Sequence, residues 1–225
     1  MKYHLQFDLN FTTNTFPGKY YAFEGIDGSG KTTQAKMLAE YFEKQGRKVL
    51  LTKEPTDGPT GELIRQVLEK KITLPSLSLQ YLFCADRAVH LQETVIPALK
   101  TGDIVITDRS LWSSVVYGIS DLLLPENEKE RLLVTYNLLS LYGGFLIPDQ
   151  TFFLKIPVSA SMKRIETRGK EKSLYEQQEK LERIEHEYQW LAEKFKEYFT
   201  QIDADHTKTP EEVREEIVAS IMILV

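Results

Sequence analysis

The strongest chemical signal in the chain is the run of residues 25–32. Its spacing, G-x-x-x-x-G-K-T, is that of a phosphate-binding loop. Glycines let backbone N–H groups converge on phosphate oxygens, and the helix that follows presents its positive N-terminal end to them. In such loops the lysine, here Lys31, reaches the β- and γ-phosphates, and the hydroxyl of Thr32 binds Mg²⁺. The predicted ATP-binding residues are Gly25, Ile26, Asp27, Gly28, Ser29, Gly30, Lys31 and Thr32.

The loop by itself leaves the reaction open, because GTPase switches, ATPases and kinases of small molecules all use it. A GTPase is expected to carry an Asn-Lys-x-Asp segment that reads guanine, and the sequence has none. Large mechanical ATPases usually need a longer chain than 225 residues. The sequence therefore favours a kinase that acts on a small acceptor.

A second group of reactive side chains follows the predicted strand at residues 103–107. Asp108, at the end of a buried strand beside a phosphate loop, can order Mg²⁺ and its waters, and Arg109 can hold a phosphate through two hydrogen bonds. Phe83 and Arg87 lie four residues apart on a predicted helix and share a face. An aromatic ring for stacking and a guanidinium for a carbonyl would suit a nucleobase. On spacing alone, however, such a pair is more often a core phenylalanine and a solvated arginine.

Elements of secondary structure must bring these groups together. From residue 19 onward, short apolar runs alternate with helical patterns, which predicts an α/β fold with a parallel sheet and helices on both faces. Ligands of such folds bind at the carboxyl ends of the strands. The predicted strands span 20–24, 49–52, 103–107, 151–156 and 200–203. The predicted helices span 32–44, 63–68, 76–100 with a bend or end near Pro97, 126–141, a segment from Pro157, 174–199, and a segment from 209 onward.

Composition and charge are those of an ordinary globular protein. Hydrophobic residues make up 42% and charged residues 27%, and the formal net charge of −5 argues against a nucleic-acid coat protein. Cys84 is the only cysteine, which excludes an intrachain disulfide and a zinc site of four cysteines. The apolar runs are shorter than a membrane span, and the first residues lack a signal-peptide pattern. We therefore expect a cytoplasmic protein that binds neither membranes nor nucleic-acid polymers.

Residues 1–18 are set apart as an N-terminal extension. Residues 3–11 alternate apolar and polar side chains, which is the period of a half-buried strand, and residues 12–18 are typical of a turn. We expect this extra strand to form a sheet edge or a dimer contact, since no reactive cluster lies in it. Residues 19–225 are predicted to form one kinase domain.

Several motifs in register resemble the thymidylate kinase family. Residues 23–34 resemble its phosphate loop, residues 82–90 its acceptor helix, and residues 105–109 its Asp-Arg segment. The resemblance covers about residues 19–200. It implies a P-loop kinase fold with a five-stranded parallel sheet as its core. It also implies ATP and Mg²⁺ as cofactors, transfer of a phosphoryl group to dTMP to give dTDP, and a homodimer.

The resemblance implies a role for each residue that faces the base and sugar. Phe83 would stack on thymine, Arg87 would hydrogen-bond to its edge, and Ser114 would face the base. Tyr117 would crowd the 2′ position of the sugar and so disfavour ribonucleotides.

The resemblance likewise assigns the residues around the reacting phosphates. Arg109 would bind the phosphate of dTMP, and Glu54 would lie near that phosphate. Asp27 would touch the 3′-hydroxyl or the region of the acceptor phosphate. Asp108 would support Mg²⁺ together with Thr32. The residues implied to be catalytic are Lys31, Arg109, Arg168 and Asp27.

Positive charge is missing from the phosphate loop apart from Lys31. In some members of the resembled family a basic residue within the loop stabilises the transferred group, but Gly28 and Ser29 are uncharged. A supplied arginine can raise the rate by about 10³- to 10⁵-fold. We expect a mobile lid at about residues 165–176 to supply the charge, with Arg168 as the preferred residue. The other basic residues near this lid are Arg164, which could instead be structural, Lys170 and Lys172.

Some positions depart from the family pattern, and two other functions remain open. Ser110 stands where tyrosine is frequent, and Gly118 where glutamine is common. A deoxyribonucleoside kinase is supported by Glu54, because a hydroxyl acceptor needs a carboxylate base there, and is weakened by Asp108, since such enzymes carry Glu-Arg-Ser at that place. A non-catalytic nucleotide-binding regulator would have a defective phosphate loop or lack an acceptor pocket, and the sequence indicates neither.

Overall fold

The computed structural model describes residues 10–122, 128–167, 174–205 and 207–223. Its centre is a sheet of five parallel strands in the order β2-β3-β1-β4-β5. All five predicted strands are present, so the predicted α/β fold is confirmed. The strands are β1 (Lys19–Glu24), β2 (Val49–Lys53), β3 (Ile104–Asp108), β4 (Gln150–Lys155) and β5 (Phe199–Asp203).

The register of the sheet places the reactive groups at one edge. β3 lies between β1 and β2, and Asp108 is paired with Phe23 on one side and with Lys53 on the other. The carboxyl ends of the three strands therefore meet at Asp108, and the phosphate loop begins directly after Glu24. This is the edge at which parallel sheets bind ligands.

Helices cover both faces of the sheet because side chains alternate along each strand. One face packs on a small core that includes Tyr20 and Val105, and the other packs on a larger core that includes Tyr21 and Ile106. No described helix is long and apolar enough to cross a membrane. The described helices are α1 (Lys31–Lys44), α2 (Pro59–Leu68), α3 (Ser76–His90), α4 (Ile96–Lys100), α5 (Leu111–Leu122), α6 (Glu128–Ser140), α7 (Val158–Glu166), α8 (Leu174–Lys194) and α9 (Pro210–Ile223).

The helix α5 has no counterpart among the predicted elements. Its sequence is largely apolar, and Trp112, Val115, Val116 and Ile119 are all buried. A helix that is buried on most sides lacks the polar stripe by which amphipathic helices are recognised.

The predicted long helix at residues 76–100 contains a π-helical turn. α3 ends at His90, the π turn spans Leu91–Val95, and α4 continues from Ile96. In a regular α-helix the ring of Pro97 would collide with the carbonyl four residues earlier, and its missing N–H would break a hydrogen bond. The wider π turn provides room at this place, and the helix continues directly into α4.

The predicted helix at residues 174–199 is too long, since α8 ends at Lys194. A 3₁₀ turn leads from there into β5. The rings of Phe195 and Phe199 pack against Trp112, with centroid distances of 5.5 and 4.9 Å. These aromatic contacts with α5 end the helix, whereas the charged pattern of the sequence would continue it.

The N-terminal extension contacts the rest of the chain at its described end. Residues 1–9, which hold most of the predicted extra strand, lie outside the described residues. Thr12 forms an isolated parallel bridge with Leu146. The ring of Phe11 packs edge-on against Trp112 and Tyr198, at centroid distances of 6.0 and 5.8 Å.

Candidate active site

The phosphate loop joins β1 to α1 through residues with unusual backbone angles. Gly25, Gly28 and Gly30 have φ angles of 139°, 80° and 101°. A Cβ at Gly25 would lie 2.7 Å from the carbonyl oxygen of Leu154 on β4. Glycine is therefore required here for both the conformation and the close approach of the neighbouring strand. Left-handed turns of this kind direct successive N–H groups towards an anion.

Lys31 is buried at the start of α1, and its side chain folds back over the loop. Its Nζ donates hydrogen bonds to the carbonyl oxygens of Gly25 at 3.0 Å and Ile26 at 2.8 Å. Burial, followed by the positive charge of Arg109, lowers the pKa of Lys31 from 10.5 to about 8. Without a ligand, the surroundings of Lys31 thus disfavour its charged form, which a bound phosphate would stabilise.

Thr32 and Asp108 form the predicted metal pair. The Thr32 hydroxyl donates to Asp108 Oδ2. The other oxygen, Asp108 Oδ1, is buried and has no hydrogen-bond partner among the described residues. Magnesium prefers oxygen ligands and is usually held by one or two protein groups together with substrate phosphates and water. The pair fits that arrangement. Within the described ranges, no group of three or more His, Cys, Asp or Glu side chains could hold a metal by itself.

Arg109 is held in place beside the phosphate loop. Its backbone has a positive φ of 80°, and its N–H donates to the Phe23 carbonyl at 3.0 Å. The guanidinium donates to Asp27 Oδ1 at 2.5 Å and to Ser113 Oγ at 3.0 Å. The Tyr117 ring lies 5.4 Å from its central carbon. The structure therefore brings together three predicted site residues, Asp27, Arg109 and Tyr117.

Glu24, which the sequence analysis missed, anchors the segment that carries Arg109. Its Oε1 accepts hydrogen bonds from the N–H and hydroxyl of Ser110, both at 2.8 Å, and from the N–H of Ser113 at 3.2 Å. Its Oε2 accepts from the hydroxyls of Ser113 at 2.5 Å and Tyr188 at 2.8 Å. The carboxylate thus lies at the positive end of α5. The sequence signal that could have identified Glu24 is its charge within an apolar strand. Buried charges are nearly always paired, so such a residue indicates a partner elsewhere in the fold.

Glu54 follows β2 and is bound by two buried side chains of α3. Arg87 Nε donates to Glu54 Oε2 at 2.8 Å, and His90 Nδ1 lies 2.9 Å from Oε1. Burial raises the pKa of Glu54, but the charge of Arg87 and the hydrogen bond from His90 outweigh it, so the net pKa is lowered. Glu54 is thus an ionised anchor for Arg87. The resemblance had implied a place near the acceptor phosphate.

The predicted base-reading residues lie on α3 and α5. Arg87 Nη2 donates to Ser114 Oγ at 3.1 Å, and the Tyr142 ring lies 4.9 Å from the guanidinium carbon. Arg87 Nη1 is buried with no hydrogen-bond partner among the described residues, a state that calls for an explanation such as a ligand. Phe83, one turn earlier, is half-buried. His90 continues the same helical face, and that spacing was the signal by which it could have been found.

Arg164 on α7 forms hydrogen bonds with the main chain of the phosphate loop. Its Nη1 donates to the carbonyl oxygens of Gly28 at 3.2 Å and Ser29 at 3.4 Å. These contacts with the main chain are those of a structural residue, which was one of the two roles expected for Arg164. The remaining predicted lid residues, which lie outside the described residues and stay predictions, are Arg168, Lys170 and Lys172.

Residues 23–217 match the model of a known family, thymidylate kinase. The chain belongs to the thymidylate kinase family. It is 39% identical over 209 residues to a probable thymidylate kinase of Pyrococcus abyssi, covering 91% of this chain and 96% of the relative. It is 40% identical over 187 residues to one of Thermococcus kodakarensis, covering 79% and 86%. A thymidylate kinase of Bifidobacterium longum is 40% identical over 156 residues, covering 66% and 72%.

One departure from the thymidylate kinase pattern has a counterpart in the structure. Gly118 of α5 stands where the family commonly has glutamine. A Cβ there would lie 2.8 Å from Leu138 Cδ1 and 3.1 Å from Gln80 Nε2. Gln80 of α3 is buried, so a side-chain amide lies beside this position although residue 118 has none.

Proposed function

We propose that this protein transfers the γ-phosphoryl group of ATP to the phosphate of dTMP, giving ADP and dTDP. The observation that carries the proposal is that two cations contact the same phosphate loop. Lys31 donates to the carbonyl oxygens of Gly25 and Ile26, and Arg109 donates to Asp27. Burial, followed by repulsion from the charge of Arg109, lowers the pKa of Lys31 to about 8. Negative charge supplied by two phosphate groups would relieve this repulsion, with Lys31 on the donor and Arg109 on the acceptor.

The reaction needs positioning and charge more than a general base. A phosphate monoester has a second pKa of about 6, so the acceptor oxygen is already anionic near pH 7. This oxygen attacks the γ-phosphorus, the bond from phosphorus to the β–γ bridging oxygen breaks, and ADP leaves with the electron pair. Arg109 orients the acceptor phosphate, and Lys31 neutralises charge on the donor. Thr32 and Asp108 would hold Mg²⁺, which would neutralise charge on the phosphate groups.

Three residues are proposed to select a thymine deoxynucleotide. Arg87 offers its unpaired Nη1 to a carbonyl of the base, and Phe83 offers a half-buried ring for stacking. Tyr117 lies beside Arg109 and is proposed to fill the space that a 2′-hydroxyl would need.

The contacts of Glu54 argue against the deoxyribonucleoside kinase alternative. A base for a hydroxyl acceptor needs a free oxygen and a pKa near the working pH. Both oxygens of Glu54 are engaged by Arg87 and His90, and its pKa is lowered. The regulator alternative is also disfavoured, because the phosphate loop and the neighbouring Arg109 are both intact.

A coupled assay of ADP release with a panel of acceptors tests the proposed function. We expect dTMP to be phosphorylated at least about 100-fold more efficiently than thymidine, because thymidine lacks the phosphate that Arg109 binds. Faster turnover of thymidine would support the nucleoside kinase alternative, and no ADP release with any nucleotide would support the regulator.

The affinity for ATP should weaken about tenfold for each pH unit above about pH 8. Lys31 must be charged to bind phosphate, so above its pKa of about 8 the ligand-free protein has to take up a proton on binding. Below that pH Lys31 is already charged, and it should contribute no pH dependence. Calorimetric titration with ATP between about pH 7.5 and pH 9.5 measures this slope.

The Lys31→Arg variant is the matched control for the pH dependence, because a guanidinium stays charged throughout this range. Its binding, although weaker, should show no slope above pH 8. A slope shared by both proteins would assign the titration to another group, and no slope in either would contradict the prediction.

A homodimer and a cytoplasmic location complete the proposal. Leu77, Tyr81 and Val89 on α3 are about half exposed and form a stripe at four-residue and eight-residue spacing. An apolar stripe of this kind suits contact with a second copy of the chain. Tyr81→Glu should convert the dimer to a monomer in sedimentation equilibrium, and an unchanged mass would contradict this interface. The single cysteine, Cys84, is free, which suits a reducing compartment.

A further inference from the structure

We propose that His90 is a positioning residue for recognition of the acceptor base. It holds one oxygen of Glu54 away from Arg87, and it thereby keeps Arg87 Nη1 available to the base. This inference rests on the proposed function, because it takes the nucleotide acceptor as given and assigns a residue that governs its affinity.

His90, Glu54 and Arg87 form a buried series of contacts, which begins at Thr52 on β2. His90 Nε2 lies 2.8 Å from Thr52 Oγ1, and His90 Nδ1 lies 2.9 Å from Glu54 Oε1. The side chains of His90, Glu54 and Arg87 are only 2%, 4% and 5% exposed. Water therefore cannot replace any of these contacts without entering the core.

These contacts place a proton on Nδ1 of His90. An ionised Glu54 only accepts hydrogen bonds, so Nδ1 must donate to it. Nε2 lies within hydrogen-bond distance of the Thr52 hydroxyl, which can act as donor or acceptor. Each polar atom of the His90 ring is satisfied in this way, and the orientation of the ring is set from both sides.

The effect of His90 is visible in how Glu54 pairs with Arg87. Nε and Nη2 of Arg87 both contact the same oxygen, Glu54 Oε2, at 2.8 and 2.5 Å. Arginine and a carboxylate usually pair through two parallel hydrogen bonds to two different oxygens. Here the second oxygen is taken by His90, so the usual fork does not form.

The other contacts of the Arg87 guanidinium explain how its pairing with Glu54 affects Nη1. Ser114 accepts from Nη2, and Tyr142 lies against the face of the guanidinium. Without the contact from His90, Glu54 Oε1 would be free to rotate, and the carboxylate would no longer hold the guanidinium fixed against Ser114 and Tyr142. The unpaired Nη1 would then no longer be aligned with the base.

The backbone supports this role for His90. It is the last residue of α3 and directly precedes the π-helical turn. π-helical turns within helices are frequently found at functional sites, where they change the direction of side chains. Phe83, Arg87 and His90 have the spacing i, i+4, i+7, so one helix face carries the ring, the base reader and its positioning residue.

The central experiment compares His90→Ala with the wild-type protein using dTMP and dCMP as acceptors. Cytosine has an amino group in place of the carbonyl at position 4 of thymine, so a donor such as Nη1 favours thymine. We expect KM for dTMP to rise about 10-fold or more, the range for losing a hydrogen bond from a charged group. We expect kcat to stay within about twofold, because Arg87 does not contact the reacting atoms. The efficiency with dCMP should change little.

Two further variants keep the test valid if His90→Ala folds poorly. His90→Asn keeps an amide N–H near the position of Nδ1 and should recover most of the affinity for dTMP. Thr52→Val leaves His90 in place but removes its second contact, and it should raise KM for dTMP by about two- to fivefold. His186→Ala, which removes an exposed histidine of α8, is the matched control and should behave as wild type.

The outcomes separate this inference from the proposed function. A wild-type protein that does not phosphorylate dTMP would overturn the proposed function itself. With an active wild type, an unchanged KM in folded His90→Ala would overturn the role of His90. Equal losses with dTMP and dCMP, or a loss that His90→Asn does not recover, would also overturn it, since either result would indicate a general structural effect.

Discussion

Replacing Lys31 with alanine is expected to lower kcat by about 10³-fold or more, because the variant loses the cation that we propose neutralises charge on the transferred group. The protein should remain folded. Lys31 is buried with a pKa lowered to about 8, so its charge is disfavoured in the ligand-free fold, and its removal exposes no apolar core. The coupled assay of ADP release measures the rate, and thermal unfolding checks the fold.

Lys44→Ala is the matched control for this variant. Lys44 lies on the same helix, α1, but in its exposed last turn. We expect wild-type turnover from it. Unchanged turnover in a folded Lys31→Ala protein would remove the assignment of this chain as a kinase.

Replacing Arg109 with glycine is expected to lower kcat/KM for dTMP by about 10³-fold, because the guanidinium that we propose orients the acceptor phosphate is lost. Glycine is the informative substitution here. Arg109 has a φ of 80°, a conformation that glycine adopts without strain and alanine does not. The backbone of the site should therefore be preserved, and calorimetric affinity for ATP should change little.

Two companion variants define what Arg109 contributes. Arg109→Lys keeps the charge but cannot form two parallel hydrogen bonds, so it should recover only part of the activity. Arg47→Ala, in the exposed turn after α1, should have wild-type kinetics. If Arg109→Gly phosphorylates dTMP at a near-normal rate, another residue must bind the acceptor phosphate. That result would contradict the assignment of this site.

The secondary structure was predictable wherever its cause was local. The five strands are short buried runs bounded by turns, and the sequence places all of them. Three features depend on packing and escaped the sequence. α5 is too uniformly buried to show an amphipathic pattern. α8 ends at Lys194 because aromatic residues beyond it pack on Trp112. At the bend or end predicted near Pro97, a π turn precedes α4 and the helix continues.

The sequence by itself determined the chemistry of this protein, and the tertiary structure decided how its side chains are paired. The phosphate loop is recognisable because its glycines, Lys31 and Thr32 act within eight consecutive residues. Arg109 and Asp27 are 82 residues apart, and Glu54 and His90 are 36 apart. Each buried charge must find a partner, but the choice of partner depends on strand register and on which face of α3 meets β2. Those are properties of the packed sheet and helices, which no local spacing encodes.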